Sequence, residues 1–348
     1  MDFTIKNINT VLDALKQIDS ISSNGTRILF VIDSEKKVIG SVSDGDCRRA
    51  LIHGISLEDS VEKVMNRDFT YLESDNFNIE KIKKIRNFGI KYVPLLDCEG
   101  RLVDILDFTN GKSYVPVDAV MMAGGKGERL RPLTLDTPKP LLKVADKPII
   151  DYNIENLMSC GIKNINVTVN YLKEQIEEHF RKPIDGIEVN CIREPKFLGT
   201  IGSVKFIKEW HNDTILLMNS DLFTNIDIEA FYLHFKEHNA DMSVAGVPYN
   251  VNIPYGIFEL QNIREIIGIT EKPSYHYYAN AGIYLIKKEL LNLIPENEYF
   301  DATDFMDELI KNKKKVIRFP ITGYWIDIGK PEDFKNVQEF ARNINRKG

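Results

Sequence analysis

Hydrophobic residues in the last two thirds of the chain follow two alternating periodicities. Short apolar runs, typical of buried strands, are separated by segments in which apolar residues recur every three or four positions, as in helices. The predicted strands are residues 117–122, 165–169, 187–192 and 214–218, and the predicted helices are residues 149–160, 172–180, 201–210, 305–311 and 332–345. Strands that alternate with helices predict a mixed, mostly parallel α/β sheet with helices on both faces, and ligands bind such sheets at the carboxyl ends of strands.

The first third of the chain contains an internal repeat. Residues 29–38, LFVIDSEKKV, align with residues 93–102, VPLLDCEGRL, at an offset of 64 residues, from Asp33 to Asp97. The apolar positions of the preceding helices match at the same offset. Each copy is therefore predicted to contain a helix, a strand, an acidic turn, a second strand and the start of a helix.

A segment without periodicity joins the repeat to the alternating region. Residues 110–116, NGKSYVP, contain Gly and Pro and are predicted to form a linker. A chain of 348 residues is long enough for two or three domains. We expect domains at residues 1–60, 61–113 and 117–348.

Composition excludes several classes of function. The net charge of −6 gives no electrostatic footprint for nucleic acid or an anionic membrane. No apolar run approaches the ~20 residues needed to span a bilayer, and the first residues lack the apolar core of a secretion signal. The four cysteines form no CxxC pair, which is typical of reduced thiols. We therefore expect a cytoplasmic protein that acts on small molecules.

A glycine-rich loop follows the predicted strand 117–122, at Gly124, Gly125 and Gly127. Glycine lets a backbone approach a ligand closely and turn its N–H groups toward it. Four cations that suit a polyphosphate lie in or after the loop: Lys126, Arg129, Arg131 and Lys139. A dinucleotide fingerprint would need glycine at Leu130, and a P-loop would need Gly-Lys-Ser/Thr, so the loop is of another kind.

Residues 123–140, AGGKGERLRPLTLDTPKP, resemble the signature of the sugar-phosphate nucleotidyltransferases, which make nucleotide sugars from an NTP and a sugar 1-phosphate. The resemblance implies a Rossmann-like (GT-A-like) fold. It implies that Arg129 and the loop N–H groups hold the triphosphate, and that Lys139, stiffly presented between two prolines, contacts phosphate. The residues implied at the nucleotide are Ala123, Gly124, Gly125, Gly127, Glu194, Gly199 and Thr200.

Two acidic residues complete the implied catalytic set. Asp221 follows the apolar strand 214–218, and Asp327 lies in residues 323–329, GYWIDIG, which match the family's Trp-x-Asp-Ile-Gly segment. An acid at a strand end is more often a cap or turn former. Within the resemblance, however, Asp221 and Asp327 hold Mg²⁺, a cation that takes one or two carboxylates and keeps some waters.

Residues on the sugar side come from two further segments. The resemblance implies that Lys272 binds the sugar phosphate and that Glu271 and Asn280 hydrogen-bond sugar hydroxyls, with Gly282 beside them. The acidic segment 300–304, FDATD, is either another sugar-side loop or the N-cap of the helix at residues 305–311.

The repeat resembles a tandem of CBS domains, an α+β module. In the first copy, residues 40–46, GSVSDGD, fit the strand-to-helix motif of that family, which implies that Asp46 binds the ribose of an adenine or guanine nucleotide. The second copy departs from the motif, with Asp104 in place of the glycine and Asn110 in place of the acid. We expect the pair either to sense a nucleotide or only to dimerise or dock, and we expect a homodimer or higher homo-oligomer.

The fused architecture resembles CBS-containing guanylyltransferases of bacterial nonulosonic (legionaminic) acid pathways, which form GDP-glucosamine from glucosamine 1-phosphate. GTP is favoured by this resemblance, and Glu194 either accepts guanine N1–H and N2–H together or is a structural cap. The alternatives are a mannose-1-phosphate guanylyltransferase, a glucose-1-phosphate uridylyl- or thymidylyltransferase, and a nucleotide-sensing binding protein with an inactive transferase domain. A glycosyltransferase of similar fold would need Asp-x-Asp, and Asn219 replaces its first acid.

Overall fold

The computed structural model describes residues 3–21, 27–74, 79–109 and 113–345. The chain divides into two compact units, Met1–Tyr114 and Val115–Gly348. Asn110 and the first part of the predicted linker lie outside the described residues.

The N-terminal unit consists of two sheets with the same topology. Its elements are β1 (Thr4–Lys6), α1 (Val11–Ile21), β2 (Ile28–Ile32), β3 (Val38–Ser43), α2 (Asp44–Ile52), β4 (Leu72–Glu73), α3 (Ile79–Asn87), β5 (Tyr92–Leu96) and β6 (Leu102–Asp107). The sheets are β1-β2-β3 and β4-β5-β6, and in each the first pair is parallel and the second antiparallel. The predicted repeat of helix, strand, turn and strand is confirmed in both copies, whereas a helix after the second strand is described only in the first copy, as α2.

The acidic turns of the two copies are equivalent in detail. Asp33 Oδ1 accepts hydrogen bonds from the N–H groups two and four residues later, at 2.8 and 2.9 Å. Asp97 Oδ1 does the same, at 2.9 and 2.8 Å. The copies share a small core that contains Phe30 and Tyr92, and the Val38 N–H donates to Gly100 O at 3.0 Å. Thus each turn is built by its own aspartate, as expected of an Asx turn.

The C-terminal unit alternates strands and helices before adding a long β-extension. Its elements are β7 (Asp118–Ala123), β8 (Lys143–Val144), β9 (Lys147–Pro148), α4 (Ile149–Ser159), β10 (Ile165–Val169), α5 (Lys173–His179), β11 (Val189–Arg193), β12 (Thr214–Asn219), β13 (Leu222–Thr224), α6 (Ile228–Glu237), β14 (Met242–Asn252), β15 (Ile257–Leu260), β16 (Ile266–Thr270), β17 (Ser274–Lys287), α7 (Ala302–Lys311), β18 (Val316–Pro320), β19 (Trp325–Asp327) and α8 (Pro331–Asn345).

The main sheet has the strand order β11-β10-β7-β12-β17-β14-β18. Only β17 runs antiparallel to its neighbours, which confirms the mixed, mostly parallel prediction. Successive residues of β7 and β12, such as Val120 and Met121 or Leu216 and Leu217, are buried on both faces of the sheet. This pattern is typical of strands covered by helices on either side.

One predicted helix is wrong. Residues 201–210 contain only a 3₁₀ turn, Gly202–Phe206. The N–H groups of Ile201 and Gly202 donate to the carbonyl of Phe300, at 3.1 and 3.2 Å. Gly199 just before them has φ +77°. These long-range bonds redirect the segment, and its apolar residues Val204 and Ile207 enter the core without a regular helix.

Among the residues that the structure describes, no helix combines the length and the apolarity needed to cross a bilayer.

Candidate active site

The glycine loop begins where β7 ends and is packed against the protein at both ends. A Cβ added to Gly124 would lie 2.6 Å from Glu194 Oε1. Gly127 has φ +60°, and a Cβ added there would lie 3.0 Å from Thr134 Cγ2. The Thr134 hydroxyl donates to Gly127 O at 2.8 Å. A Cβ on Gly125, by contrast, would have no described heavy atom within 4 Å. The middle of the loop is therefore open to a ligand, while its ends are fixed.

Lys139 lies beneath this loop and is only 9% exposed. It starts a 3₁₀ turn, Lys139–Leu141, between Pro138 and Pro140, and prolines restrict the backbone there. Its Nζ contacts the carboxylate of Asp221 and lies 3.8 Å from Asp327 Oδ1. A buried ammonium group thus faces both predicted metal ligands.

A short β-ribbon brings Asp221 and Asp327 together. Strands β13 and β19 pair antiparallel with Leu222 opposite Asp327, so that the residue before β13 lies next to the end of β19. Ser220 fixes the other side, because its hydroxyl donates to Met122 O at 2.6 Å. Asp221 is therefore anchored to the end of β7, from which the glycine loop starts.

The charges around Asp327 act on its pKa in opposite directions. Burial is the main cause that raises the pKa of Asp327, and the neighbouring Asp221 carboxylate raises it further. The charges of Lys139 and Arg129 oppose this effect. Arg129 is close to Asp327, because both lie around Gly329. A Cβ added to Gly329 would be 3.6 Å from each terminal nitrogen of Arg129 and 3.6 Å from Asp327 Oδ2.

The residues present fit a divalent cation. Asp221 Oδ1 is buried and has no hydrogen-bond partner among the described residues, which is costly for a carboxylate oxygen unless a ligand completes it. Within the same ranges, no group of three or more His, Cys, Asp and Glu side chains could hold a metal alone. A pair of carboxylates that leaves positions for water and phosphate oxygens is typical of Mg²⁺.

The glycine loop, Lys139 and Asp221 border a cleft of about 390 Å³, whereas Asp327 lies behind Lys139 and is not among the lining residues. The cleft brings together most of the predicted catalytic and nucleotide residues: Ala123, Gly124, Gly125, Gly127, Arg129, Lys139, Glu194, Gly199, Thr200 and Asp221. It also includes residues that were not predicted to bind nucleotide or metal: Phe197, Thr168, Asn219, Ser220 and Gly329. Phe197, Asn219, Ser220 and Gly329 lie within or beside recognised motifs, whereas Thr168 is a strand residue with no signal in the sequence.

Two of the predicted nucleotide residues are engaged by the fold itself. Glu194 is 4% exposed, packs against Gly124, and accepts a bond of 3.4 Å from the Leu198 N–H. Burial raises its pKa. The Thr200 N–H and hydroxyl both donate to Asp301 Oδ1, at 2.9 and 3.1 Å. Thr200 Oγ1 in turn accepts from the Ala302 N–H at 2.7 Å.

The acidic segment at residues 300–304 serves as a helix cap. Asp301 is the N-cap residue of α7, and its N–H donates to Asp304 Oδ2 at 3.2 Å. Its own carboxylate accepts from Thr200 and from the Tyr299 hydroxyl. Of the two interpretations, the capping role accounts for these bonds.

The predicted sugar-side residues are divided between two places. Gly282 has φ +71°, and a Cβ there would lie 2.5 Å from Asn219 Nδ2, so this segment packs against a residue that lines the cleft without lining it itself. Asn280 Oδ1 accepts from the Gly282 N–H at 2.9 Å, and Trp325 donates to Ala281 O at 2.9 Å. Glu271 and Lys272, in contrast, are exposed in the connection between β16 and β17 and are not among the residues that line the cleft.

Asp46 lies in the N-terminal unit, at the start of α2. It forms a capping box with Ser43: its Oδ2 accepts from the Ser43 N–H at 2.8 Å and from the Ser43 hydroxyl at 2.6 Å. Its Oδ1 accepts from Arg49 at 2.6 Å. Both oxygens of this carboxylate are therefore engaged by its own helix and the N-cap residue of that helix.

Comparison with known proteins adds to this geometry. Residues 118–344 match the nucleotidyl transferase family, and residues 3–53 match the CBS domain family. The match to the CBS family covers the first copy of the repeat, and the assignment of the second copy stays a prediction.

Similar proteins share the C-terminal unit. A D-glycero-alpha-D-manno-heptose 1-phosphate guanylyltransferase of Campylobacter jejuni is 31% identical over 63% of this chain and 97% of its own length. A mannose-1-phosphate guanyltransferase of Yarrowia lipolytica is 30% identical over 62% of this chain and 61% of its own length. Other relatives are likewise matched over only part of their length, 54% to 62%. A Bacillus anthracis crystal structure, provisionally assigned as a glucose-1-phosphate thymidylyltransferase, is 25% identical with a TM-score of 0.52 and covers 65% of this chain and 95% of that one.

The family match extends from β7 into α8 and includes the glycine loop, Lys139 and both acidic residues of the cleft. Because it covers more than half of the 348 residues, the chain belongs to the nucleotidyl transferase family, with a CBS domain at its N-terminus.

Proposed function

We propose that the protein transfers a nucleotidyl group from an NTP to a sugar 1-phosphate, forming a nucleotide sugar and pyrophosphate. The observation that carries this proposal is the contact of buried Lys139 with Asp221, 3.8 Å from Asp327, under an open glycine loop. Such a cluster would supply a cation, two carboxylates suited to a metal and the backbone N–H groups of the loop in or beside one cleft.

The chemistry requires positioning more than proton transfer. A sugar 1-phosphate is already anionic, so its attack on the α-phosphorus needs no general base, and the obstacle is the repulsion between two anions. We assign the loop N–H groups and Arg129 to the triphosphate and Lys139 to the reacting phosphates. Lys272 binds the sugar phosphate, which requires its exposed segment to approach the cleft once substrate is present.

Asp221 and Asp327 would hold Mg²⁺, since an unpartnered buried oxygen of Asp221 is available for it. The cation would neutralise and orient the α-phosphate when bound. Ser220 and the β13–β19 pair keep the two carboxylates at the end of the glycine loop, so that the charge is delivered beside the triphosphate.

GTP and glucosamine 1-phosphate are the substrates that we favour. The relatives from Campylobacter and Yarrowia carry guanylyl- or guanyltransferase names, which supports a guanine nucleotide. The buried carboxylate of Glu194 borders the cleft, where a base could pair with it after a small rearrangement. A thymidylyltransferase is the second candidate, because the Bacillus structure bears that assignment.

For the N-terminal unit we propose nucleotide sensing, with the ribose near Asp46 in the first copy. Its partners Ser43 and Arg49 are local, so a ribose would need to displace one of them. Equilibrium binding of AMP to the full chain tests this, because AMP has no pyrophosphate to release. Saturable binding that Asp46→Asn weakens supports sensing, whereas no binding at millimolar AMP leaves assembly or docking as the role of the repeat.

The test of the catalytic proposal is pyrophosphate release in the presence of Mg²⁺. GTP, UTP, dTTP, CTP and ATP are each combined with the 1-phosphates of glucosamine, mannose and glucose. A strong signal for GTP with glucosamine 1-phosphate that Asp221→Ala abolishes is the expected result. A signal with dTTP or UTP keeps the reaction and overturns the base, and silence across the panel contradicts the proposal for these sugars.

A further inference from the structure

The cleft follows the carboxyl ends of four neighbouring strands of the main sheet. These strands lie in the order β11-β10-β7-β12, and all three pairings between them are parallel. Residues at or just after the end of each strand line the cleft: Glu194 for β11, Thr168 for β10, the glycine loop for β7 and Asn219 for β12. Because adjacent strands are about 4.8 Å apart, the ends of β11 and β12 are separated by roughly 14 Å.

The two ends of this row differ in chemistry. The β7 and β12 end holds the glycine loop, Lys139 and Asp221, which suit phosphate and a metal. An NTP with its triphosphate at that end extends its nucleoside toward β10 and β11. Among the described residues, the lining at this second end includes no lysine or arginine and consists of Thr168, Glu194, Phe197, Gly199 and Thr200. Such a lining suits an uncharged base.

Phe197 is the large apolar side chain at the β11 end, and it is held firmly. It lines the cleft with 48% of its surface exposed, and its ring packs against Tyr299 with the centroids 5.9 Å apart. The Tyr299 hydroxyl donates to Asp301 Oδ2 at 2.7 Å. The Phe300 N–H donates to Leu198 O at 3.0 Å, which fixes the backbone next to Phe197. The ring is therefore a supported, half-exposed surface.

A buried hydroxyl with unused bonding capacity lies at the same end of the cleft. Thr168 is 1% exposed and lines the cleft. Burial raises the pKa of Glu194, and the nearby Thr168 hydroxyl opposes that rise. The same hydroxyl has no hydrogen-bond partner of normal geometry among the described residues, which is costly unless a ligand or water completes it. This end thus offers an aromatic ring together with polar groups, as a nucleobase with a flat face and a polar edge requires.

We propose that the Phe197 ring stacks against the base of the bound NTP and sets the affinity of the protein for the nucleotide. The inference rests on the proposed function and adds a residue that binds the face of the base, whereas Glu194 would meet its edge. Stacking of a base on an aromatic side chain changes affinity by roughly 5- to 150-fold, and it acts on every base because each has a flat π-face.

The stack is expected to affect binding and not the chemical step. The base lies at the opposite end of the cleft from the reacting phosphorus, so Phe197 contacts it equally before and during the reaction. Loss of such an interaction raises KM and leaves kcat unchanged. Damage to the fold of the cleft would instead lower kcat as well, which separates the two explanations.

The first experiment measures pyrophosphate release by Phe197→Ala, with separate KM values for GTP and for the sugar 1-phosphate. We expect the KM for GTP to rise at least about fivefold, with kcat and the sugar KM within about twofold of the parent. Phe197→Tyr keeps a ring and should restore the KM for GTP. Phe88→Ala is the matched control, since Phe88 is 80% exposed in the N-terminal unit. An unchanged KM for GTP, or a rise in the sugar KM alone, overturns the proposal.

The second experiment does not depend on turnover. Phe197→Trp places a fluorescent indole in the cleft, and the parent, with Trp210 and Trp325, supplies the background signal. We expect GTP without sugar to cause a saturable loss of the added fluorescence. Inorganic tripolyphosphate, which has the charge but no base, should cause no such loss and should compete with GTP. Bound GTP that leaves the added fluorescence unchanged overturns the stack.

The two experiments together separate this inference from the proposed function. Loss of fluorescence with GTP in a protein that releases no pyrophosphate with any of the sugars supports the stack and contradicts the catalytic proposal for those sugars. Pyrophosphate release that Phe197→Ala and Phe197→Tyr both leave unchanged supports the catalytic proposal and overturns the stack.

Discussion

Two acidic residues near the ends of β-strands, one in each unit, differ in how the fold uses them. Asp46 lies in the first turn of α2, and both its oxygens accept hydrogen bonds from near neighbours, the N-cap residue Ser43 and Arg49. Asp221 follows β12, and one of its oxygens is buried without a partner among the described residues. Resemblance assigns a ligand to each of them. Of the two, only Asp221 has a carboxylate oxygen that no described residue hydrogen-bonds.

The difference shows how structural and ligand-binding carboxylates are distinguished. A buried polar atom without a partner costs free energy, and a fold keeps it when a ligand offsets that cost. A carboxylate in a capping box stabilises its helix whether or not a ligand binds. The comparison therefore predicts opposite behaviour for substitutions at the two positions, with catalysis affected at Asp221 and stability affected at Asp46.

The largest effect is expected for Asp221→Asn. The substitution keeps the shape of the side chain but removes the charge that would hold Mg²⁺, and we expect pyrophosphate release to fall by roughly 10³-fold. Binding of Mn²⁺, measured by electron paramagnetic resonance, is expected to weaken in parallel. Asp46→Asn is the control and should keep the parent Mn²⁺ affinity. An Asp221→Asn enzyme within tenfold of the parent activity would remove Asp221 from the metal site.

Lys139→Met comes next, with an expected activity loss of roughly 10²-fold because a cation at the phosphates is lost. It also leaves Asp221 and Asp327 facing each other without compensation. We expect about 2 kcal/mol lower stability in EDTA, less than for a fully buried pair because the carboxylates are partly solvated. Urea unfolding with and without Mg²⁺ checks this, since Mg²⁺ should restore more stability to the variant than to the parent. Lys143→Met removes an exposed cation of β8 that is not among the residues lining the cleft, and it should show neither effect.

Much of the cleft could be predicted from the sequence, because its strands, helix and motifs are each made of contiguous residues. Three predicted elements have the apolar pattern of buried strands or helices: the strand before the glycine loop, the strand before Asp221 and the helix at residues 149–160. They occur as β7, β12 and α4, with ends within one or two residues of the prediction. The glycines and the proline-flanked lysine are contiguous motifs. Their chemistry is determined by spacing along the chain, which sequence displays directly.

What sequence could not supply depends on distant contacts. The predicted helix at residues 201–210 is wrong because the carbonyl of Phe300, almost one hundred residues away, accepts the N–H groups that would have started it. The proximity of Asp221 to Asp327 depends on two strands of only three residues, β13 and β19. Strands β14 and β17 extend well beyond the main sheet, and only the structure shows that they become exposed toward residues 252 and 274.

Asp46→Asn tests the other side of the comparison and has a smaller effect. Loss of the capping box and of the Arg49 ion pair is expected to lower the free energy of unfolding of the N-terminal unit by about 1 kcal/mol. Urea unfolding followed by far-ultraviolet circular dichroism measures it. Ser43→Ala removes the same box from its other end and should cost a similar amount. A protein with Asp46→Asn that is as stable as the parent would mean that the acid is kept for a ligand.

The smallest effect is a gain in stability for Asp327→Asn at neutral pH in EDTA. Burial and the Asp221 charge raise the pKa of Asp327, so the folded state binds that proton more tightly than the unfolded chain does. Stability is then lost as pH rises through the raised pKa, and removal of the charge recovers it above that pH. With 40% of the side chain exposed, solvent screens the repulsion, and we expect a rise in Tm of only about 1–2 °C at pH 7. The gain should vanish near pH 4, where folded and unfolded states both begin to be protonated. A variant that is less stable than the parent at pH 7 would show that the Asp327 carboxylate stabilises the fold through Lys139. Asp327 would then be a structural carboxylate, as Asp46 is, and the contrast between the two units would not extend to it.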